Sequence, residues 1–408
     1  MLKLNNLIWL THIAFIVRVT VFVRGRSGFA DVDTLAFIQV LIVFLNCFLS
    51  LISRRVFRVI GDILKFSLLF LFLYYVLCML SSIWSSLPQF TLYKSFEYAA
   101  LLLSVLIAIS FEKNYESAEK KVLLLVTITL FCGIFLGIKV HHYQVSVESL
   151  HTNQYSATAA MLCAYCFGEY FKAHKPRKKR LRRFGMVGFL FLVIGTSAAS
   201  NMAFLCGAIL VFLLVGRLLF AFAAAWMLVI SALIGVYVFG TNFGFLAHIL
   251  APGKTAKELE TASDRTMIVE YYKNKIFESP FIGYGFAVME MKKGLVQKGE
   301  THNSILSILL GTGLVGMFFY GVFLIKLGMQ SVKSLAAKRE GCIGATAAVL
   351  TGLINSLAIP LVGDYWMEPS FTFSCFLSLS IWHILARDRK GKRYVPTNFN
   401  MNHGSAKI

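Results

Sequence analysis

Arg265 and His302 are the residues whose types and setting best suit chemistry. Arg265 opens the run DRTMIVEYYKNKIFESPFIGYGF, less one residue, and that run closes in a Pro-Phe-x-Gly-x-Gly turn. A connector carrying Lys292, Lys293 and Lys298 follows, and His302-Asn303 then stands at the mouth of a long apolar run. A guanidinium fork matches phosphate oxygens. A neutral imidazole, with an ordinary pKa near 6.5, takes a proton from a hydroxyl, and nearby lysines favour that neutral form. Asn303 either caps the following helix or orients the ring. Arg265 also has a plainer reading, as a surface ion pair with Asp264 or Glu270. A cation and a base held at one membrane face suit the handling of a lipid phosphate and a hydroxyl.

The elements that position them are apolar. Hydrophobic residues make up 57% of the 408, charged residues only 15%, and the mean hydropathy is +0.70. Soluble domains are about 45–50% apolar and about 25% charged, so the chain is expected to be an integral membrane protein. Apolar runs of about 20 residues select helices over a barrel, since a helix satisfies its own backbone in lipid. Twelve spans are expected, over residues 5–23, 33–51, 64–84, 96–111, 121–140, 154–171, 184–199, 201–219, 220–239, 303–327, 342–362 and 366–385. The fold class is therefore all-α, a polytopic inner-membrane bundle in one domain, 1–408. Arg18 interrupts the first run and is expected to snorkel outward.

The formal net charge is +20. The basic residues cluster in short connections, as the positive-inside bias expects, and nucleic-acid binding is not implied. The densest cluster, residues 172–183, is read as a cytoplasmic loop. Counting from it puts both termini in the cytoplasm and residues 241–302 outside, as one long periplasmic loop. Its Phe, Tyr and Ile at helical spacing predict short amphipathic helices on the membrane. The eight cysteines all fall in apolar runs, and Cys163 and Cys166 read as structural thiols rather than metal ligands.

Two further patterns are weaker. Gly311-Thr312-Gly313-Leu314-Val315-Gly316 is literally G-x-G-x-x-G. It lies inside an apolar span, where small residues serve close helix packing rather than a dinucleotide. Asp31 and Asp33 form a DxD beside Arg24 and Arg26. With no third carboxylate adjacent, a helix cap is favoured over a metal site.

These stretches resemble the O-antigen ligase and polymerase superfamily. The resemblance rests on the Arg265 run with its Pro-x-x-Gly-x-Gly turn, and on His302-Asn303 leading a helix with a Gly-x-x-Gly element. SSIWSSLPQF is similar to the family's Ser-x-x-Trp-Ser segment, and HTNQYSATAAM, with Asn153, to the start of a middle helix. Asp264 and Val269 stand where the family has Gly and Trp, and Asn201 follows Ser200 where it has a second Arg. The resemblance implies an inverting, metal-independent glycosyl transfer with no cofactor. The donor would be a glycan on undecaprenyl pyrophosphate, the acceptor a glycan or glycolipid, and the site periplasmic. Arg265 would stabilise the leaving pyrophosphate and His302 activate the acceptor. Asn303 and Asn153 would contact substrate, and either Lys94 or Lys254 would replace the second Arg. The detail leans towards a polymerase over a ligase that loads the lipid A core. A lipid-glycan flippase is the alternative of another class.

Overall fold

The computed structural model describes residues 4–24, 34–53, 55–64, 67–135, 138–141, 144–147, 152–195, 197–217, 265–287, 303–362 and 368–385. Among these the chain is overwhelmingly helical. The helices are α1 (Leu4–Thr20), α2 (Thr34–Ile52), α3 (Val56–Ile63), α4 (Leu68–Leu80), α5 (Pro88–Ser110), α6 (Tyr115–Phe135), α7 (Thr152–Tyr170), α8 (Lys175–Gly195), α9 (Ala198–Leu214), α10 (Arg265–Glu278), α11 (Ser304–Ala336), α12 (Cys342–Asn355), α13 (Glu368–Ser380) and α14 (Trp382–Leu385). Three of them, α2, α5 and α11, are long and apolar enough to cross a membrane unaided, and up to four spans result if the bent α3–α4 pair is counted as one. α1, most of α9 and α12 are shorter apolar helices. The stretch expected to hold a ninth span, 220–239, lies outside the described residues.

Several boundaries differ from expectation for local reasons. α5 begins at Pro88 rather than near residue 96. Proline fits the first turn of a helix because its missing N–H would be unpaired there anyway. The polar stretch before residue 96, including Lys94, is therefore helical. Residues 138–140, expected to end the span 121–140, and the connection after them, expected to be a loop, form strands β2 (Ile138–His141) and β3 (Gln144–Val147). β2 pairs antiparallel with β3 and parallel with β1 (Phe22–Arg24). Valines at 140, 145 and 147 in alternation with polar residues supply the period-two pattern. Among the described residues the fold is helical with this one small sheet. Arg18 is buried instead of snorkelling, and donates to the carbonyls of Leu35 at 2.7 Å and Phe22 at 2.8 Å.

α7 runs through the middle of the bundle, packed against α8, α9, α12 and α13. Its small residues, Ala157, Ala159, Ala160 and Ala164, are wholly buried. At its far end Gly168 lies so close to Gly344 of α12 that a Cβ would sit 2.7 Å from the Gly344 Cα. All eight cysteines are free, and Cys163 and Cys166 are buried in this packing.

The basic run 172–183 is more than a topological marker. α8 starts within it, and Arg177 is buried. Its Nη2 donates to Glu119 of α6 at 2.6 Å and to Glu169 of α7 at 2.9 Å. Arg180 also reaches Glu119, at 2.8 Å. Glu169 accepts in turn from the Gly344 N–H at 2.8 Å, and Tyr165 donates to Glu119 at 2.8 Å. One guanidinium thus ties three helices and the start of a fourth. Removing one member of a buried ion pair strands the other and costs about 3–5 kcal/mol. Arg177→Ala is therefore expected to lower the melting temperature and the yield of detergent-purified protein sharply, with Arg177→Lys intermediate because it keeps the charge and loses the fork. A melt unchanged by Arg177→Ala would show that the network holds nothing together.

Candidate active site at the broken helix

α10 and α11 are joined through a break in α11. At Gly313 the backbone leaves the helix with φ 63° and ψ −159°. Such a conformation is essentially restricted to glycine. The break exposes backbone groups that an intact helix would pair with itself, and the Pro280–Phe286 turn takes them up. Tyr284 N–H donates to Leu310 O at 2.8 Å and Gly285 N–H to Gly311 O at 2.9 Å. In the other direction, Leu314 N–H donates to Pro280 O at 2.8 Å and Val315 N–H to Phe281 O at 3.2 Å. Gly283 and Gly285 have φ of 62° and 105°, which lets the turn approach this closely. The glycine pattern read as helix packing is thus chiefly the site of a break, and only Gly316, beside Thr312 and Tyr74, packs as expected.

These contacts seat the end of α10 and its turn on the break. Tyr272 packs on Leu310, Pro280 meets Leu314, and Phe281 meets Val315. The turn runs back along α11, with 280 and 281 on 314 and 315 and then 284 and 285 on 310 and 311, and Leu310 is the contact that α10 shares with the first part of α11. At 1.5 Å per residue, α10 begins about 10 Å from the Tyr272–Leu310 contact and α11 about 9 Å from it. Arg265 is the first residue of α10 and Asn303 the cap of α11.

The N-terminus of α11 is clamped as well. Asn303 Oδ1 accepts from the Ile305 N–H at 2.8 Å and the Leu306 N–H at 3.3 Å, and its Nδ2 donates to Leu357 O at 3.2 Å. Of the two roles expected for Asn303, capping is the one observed. Ser304 N–H donates to Ser356 O at 2.8 Å, while its hydroxyl accepts from the Leu361 N–H at 2.8 Å. Beside this clamp Asn355, the last residue of α12, accepts from the Ser200 hydroxyl at 3.2 Å. Asn201, the neighbour of Ser200, therefore belongs to a helix start one hydrogen bond away from the segment that holds Asn303. Sequence reasoning missed Asn355, which lies unremarked near the end of an apolar run. Its Nδ2 and the Ser197 hydroxyl are buried without a hydrogen-bond partner among the described residues.

Lys94 is buried on α5 and paired with Glu97 at 2.8 Å. Glu97 also accepts from Tyr93 at 2.9 Å and from Gln39 at 2.5 Å. The Lys94 charge is thus compensated locally. Lys94 follows Thr91 by one helical turn, and Thr91 touches the 280–286 turn. Asn153 is the second residue of α7, where the helix meets the end of α8 through Ser156 and Gly195. His302, Lys254, Asp31 and Asp33 lie outside the described residues, as does most of 241–302 apart from α10 and its turn. Exposed Glu278 closes α10; hydrogen bonds from Lys275 and Tyr284 hold its carboxyl below the usual carboxylate range. Among the described residues no group of three His, Cys, Asp or Glu side chains is placed to hold a metal.

Residues 184–321 match the family described as O-antigen ligase. The match supports the O-antigen ligase and polymerase superfamily that the sequence resembles. It covers about a third of the chain, from within α8 to the middle of α11, and so contains Arg265, the turn, His302-Asn303 and the break. No curated protein matches the chain. The apolar helices and the family agree on a membrane protein.

Proposed function

We propose that the chain is a glycosyltransferase of the bacterial inner membrane. It would transfer a glycan from undecaprenyl pyrophosphate to a sugar hydroxyl at the periplasmic face, in surface-polysaccharide assembly. The observation that supports this reading is the junction of α10 and α11: Arg265, the first residue of α10, and Asn303, the residue after His302, each stand about two helical turns along the chain from the one Tyr272–Leu310 contact. In the proposed reaction the acceptor oxygen attacks the anomeric carbon as the bond from that carbon to the pyrophosphate oxygen breaks, with inversion. His302 takes the acceptor proton. Arg265 stabilises the charge that develops on the departing pyrophosphate, and positioned donors are worth most where charge appears. Pyrophosphate is already a good leaving group, so no metal is required by this chemistry. Asn303 caps the helix that follows His302 and, with Asn153, is a proposed substrate contact, and either Lys94 or Lys254 takes the place of the second Arg. The resemblance leans to a polymerase, in which the acceptor is a second lipid-linked glycan.

The test is donor turnover by the purified protein. In detergent, with chelator present, release of undecaprenyl pyrophosphate and a new inverted linkage are expected. In sealed vesicles the donor should be consumed only from the face that corresponds to the periplasm. A protein that moves donor across vesicles but consumes none in detergent would be a transporter, and loss of turnover on chelation would move the chemistry to Asp31 and Asp33. Growth of the glycan on its lipid carrier identifies a polymerase, and transfer to lipid A core a ligase.

A further inference from the structure

The corner between α4 and α5 holds the turn that holds the break. α4 ends at Leu80, a single 3-10 turn covers Ser81–Ile83, and α5 starts at Pro88. Two hydroxyls of this corner grip one peptide unit pair of the distant turn. Ser81 Oγ accepts from the Phe286 N–H at 3.0 Å, and Thr91 Oγ1 donates to the Phe286 carbonyl at 3.1 Å. Thr91 is braced by Ser85 at 2.7 Å, and Ser85 accepts from the Leu87 N–H at 3.0 Å. Trp84 Nε1 donates to Ile282 O at 3.2 Å, at the other end of the same turn. Ser81 and Thr91 are fully buried and Phe286 almost so, at 1%. A buried backbone N–H or carbonyl left without its partner costs about 1–3 kcal/mol. The hydroxyls therefore fix the place of Phe286, not merely fill space.

From Phe286 the path is short. Gly285 and Tyr284 are bonded to Gly311 and Leu310, the carbonyls freed by the break in α11. The half of α11 that begins at Ser304 is thus held at one end by the 356–362 segment and at the other, through the turn, by Ser81 and Thr91. Both residues lie outside the stretch that matches the family.

We infer that Ser81 and Thr91 are positioning residues: through the backbone of Phe286 they set the place of the turn, and so the relation of α10 to the first half of α11. For its effect on turnover the inference rests on the function proposed above; its structural content does not. A displacement of about 1 Å at a reacting centre costs on the order of 100-fold in rate, so a loosened clamp acts on the chemical step more than on binding.

The experiment has two arms. In the first, Thr91→Val, Thr91→Ser and Ser81→Ala are compared in donor turnover. Thr91→Val is expected to lower kcat by roughly 10- to 100-fold with KM nearly unchanged, and Thr91→Ser, which keeps the hydroxyl, to stay close to the parent. Equal losses in the Val and Ser variants, or an unchanged kcat in Thr91→Val, overturn the inference. In the second arm, spin labels are placed on exposed positions 273 and 305 after replacement of the native cysteines, and the distance between them is measured. The parent should give one narrow distribution, and the Ser81→Ala, Thr91→Val double variant a broadened or shifted one. An unchanged distribution overturns the inference whatever the turnover shows. If the parent consumes no donor at all, the proposed function falls, and this second arm alone decides the positioning role.

Discussion

His302→Ala is expected to lower donor turnover by about 10²–10⁴-fold, the usual loss when a positioned base is removed. The same substitution is expected to leave insertion and melting near those of the parent, because a base acts on the substrate rather than on the fold. The two effects separate a base from a structural histidine. The pH dependence separates them further. A base works only when neutral, so kcat/KM of the parent should fall as the pH drops through the pKa of His302, ordinarily about 6.5. The residual activity of His302→Ala should lack that limb. Arg265→Ala is expected to cost a similar factor by a different route, loss of charge stabilisation at the leaving group. It should keep the acid limb, because the titrating group is still present, with any shift towards higher pH as a nearby cation is lost. Arg265→Lys should recover only part of the loss, since an ammonium keeps the charge without the fork. Near-parental turnover by His302→Ala would remove it from the mechanism, and an acid limb that survives in that variant would assign the limb to another group.

Much of this architecture is legible in one sequence because lipid leaves few choices. Runs such as 33–51 and 96–111 are expected to be helices, and α2 and α5 appear there, α5 with about two further turns at its start. The order of the motifs is also visible, and with it Arg265, the turn and His302-Asn303. What the sequence hides is anything decided by a distant partner. Phe286 meets Ser81 across 205 residues of chain, and no local pattern announces that bond. Arg177 looks like one more positive charge in a cytoplasmic loop, until Glu119 and Glu169 are found beside it. The glycines at 311 and 313 read as packing residues because their composition fits that role. Only the backbone angle at Gly313 tells a packed helix from a broken one. β2 and β3 were missed because valines in a short connection carry less weight than the helical runs on either side.

Gly313→Ala should be the most damaging single methyl group that can be added to the described chain near the site. The native φ of 63° with ψ of −159° is closed to residues with a Cβ at a cost of about 1–3 kcal/mol. The added carbon would also have nowhere to go. It would stand 2.3 Å from the carbonyl carbon and oxygen of Phe281 and 2.6 Å from the Ile282 nitrogen, all backbone atoms that no rotamer change can clear. Two escapes remain, and both undo the junction. The turn can withdraw, losing its four backbone bonds to α11 at about 1 kcal/mol each. Alternatively α11 can close into a continuous helix, which takes back the Leu310 and Gly311 carbonyls and expels the turn. Either way α10 loses its register against α11, and Arg265 and the Asn303 cap no longer share a fixed frame. Turnover should fall by at least about 100-fold on the geometric argument alone. The closed-helix escape makes a distinctive forecast. It strengthens the helix while it destroys the site, so Gly313→Ala should lose activity more completely than it loses helicity by circular dichroism. Gly321→Ala, in the same helix with open space around its added methyl, is the control and should do neither. Parental activity in Gly313→Ala would mean that the break is not what holds the site together.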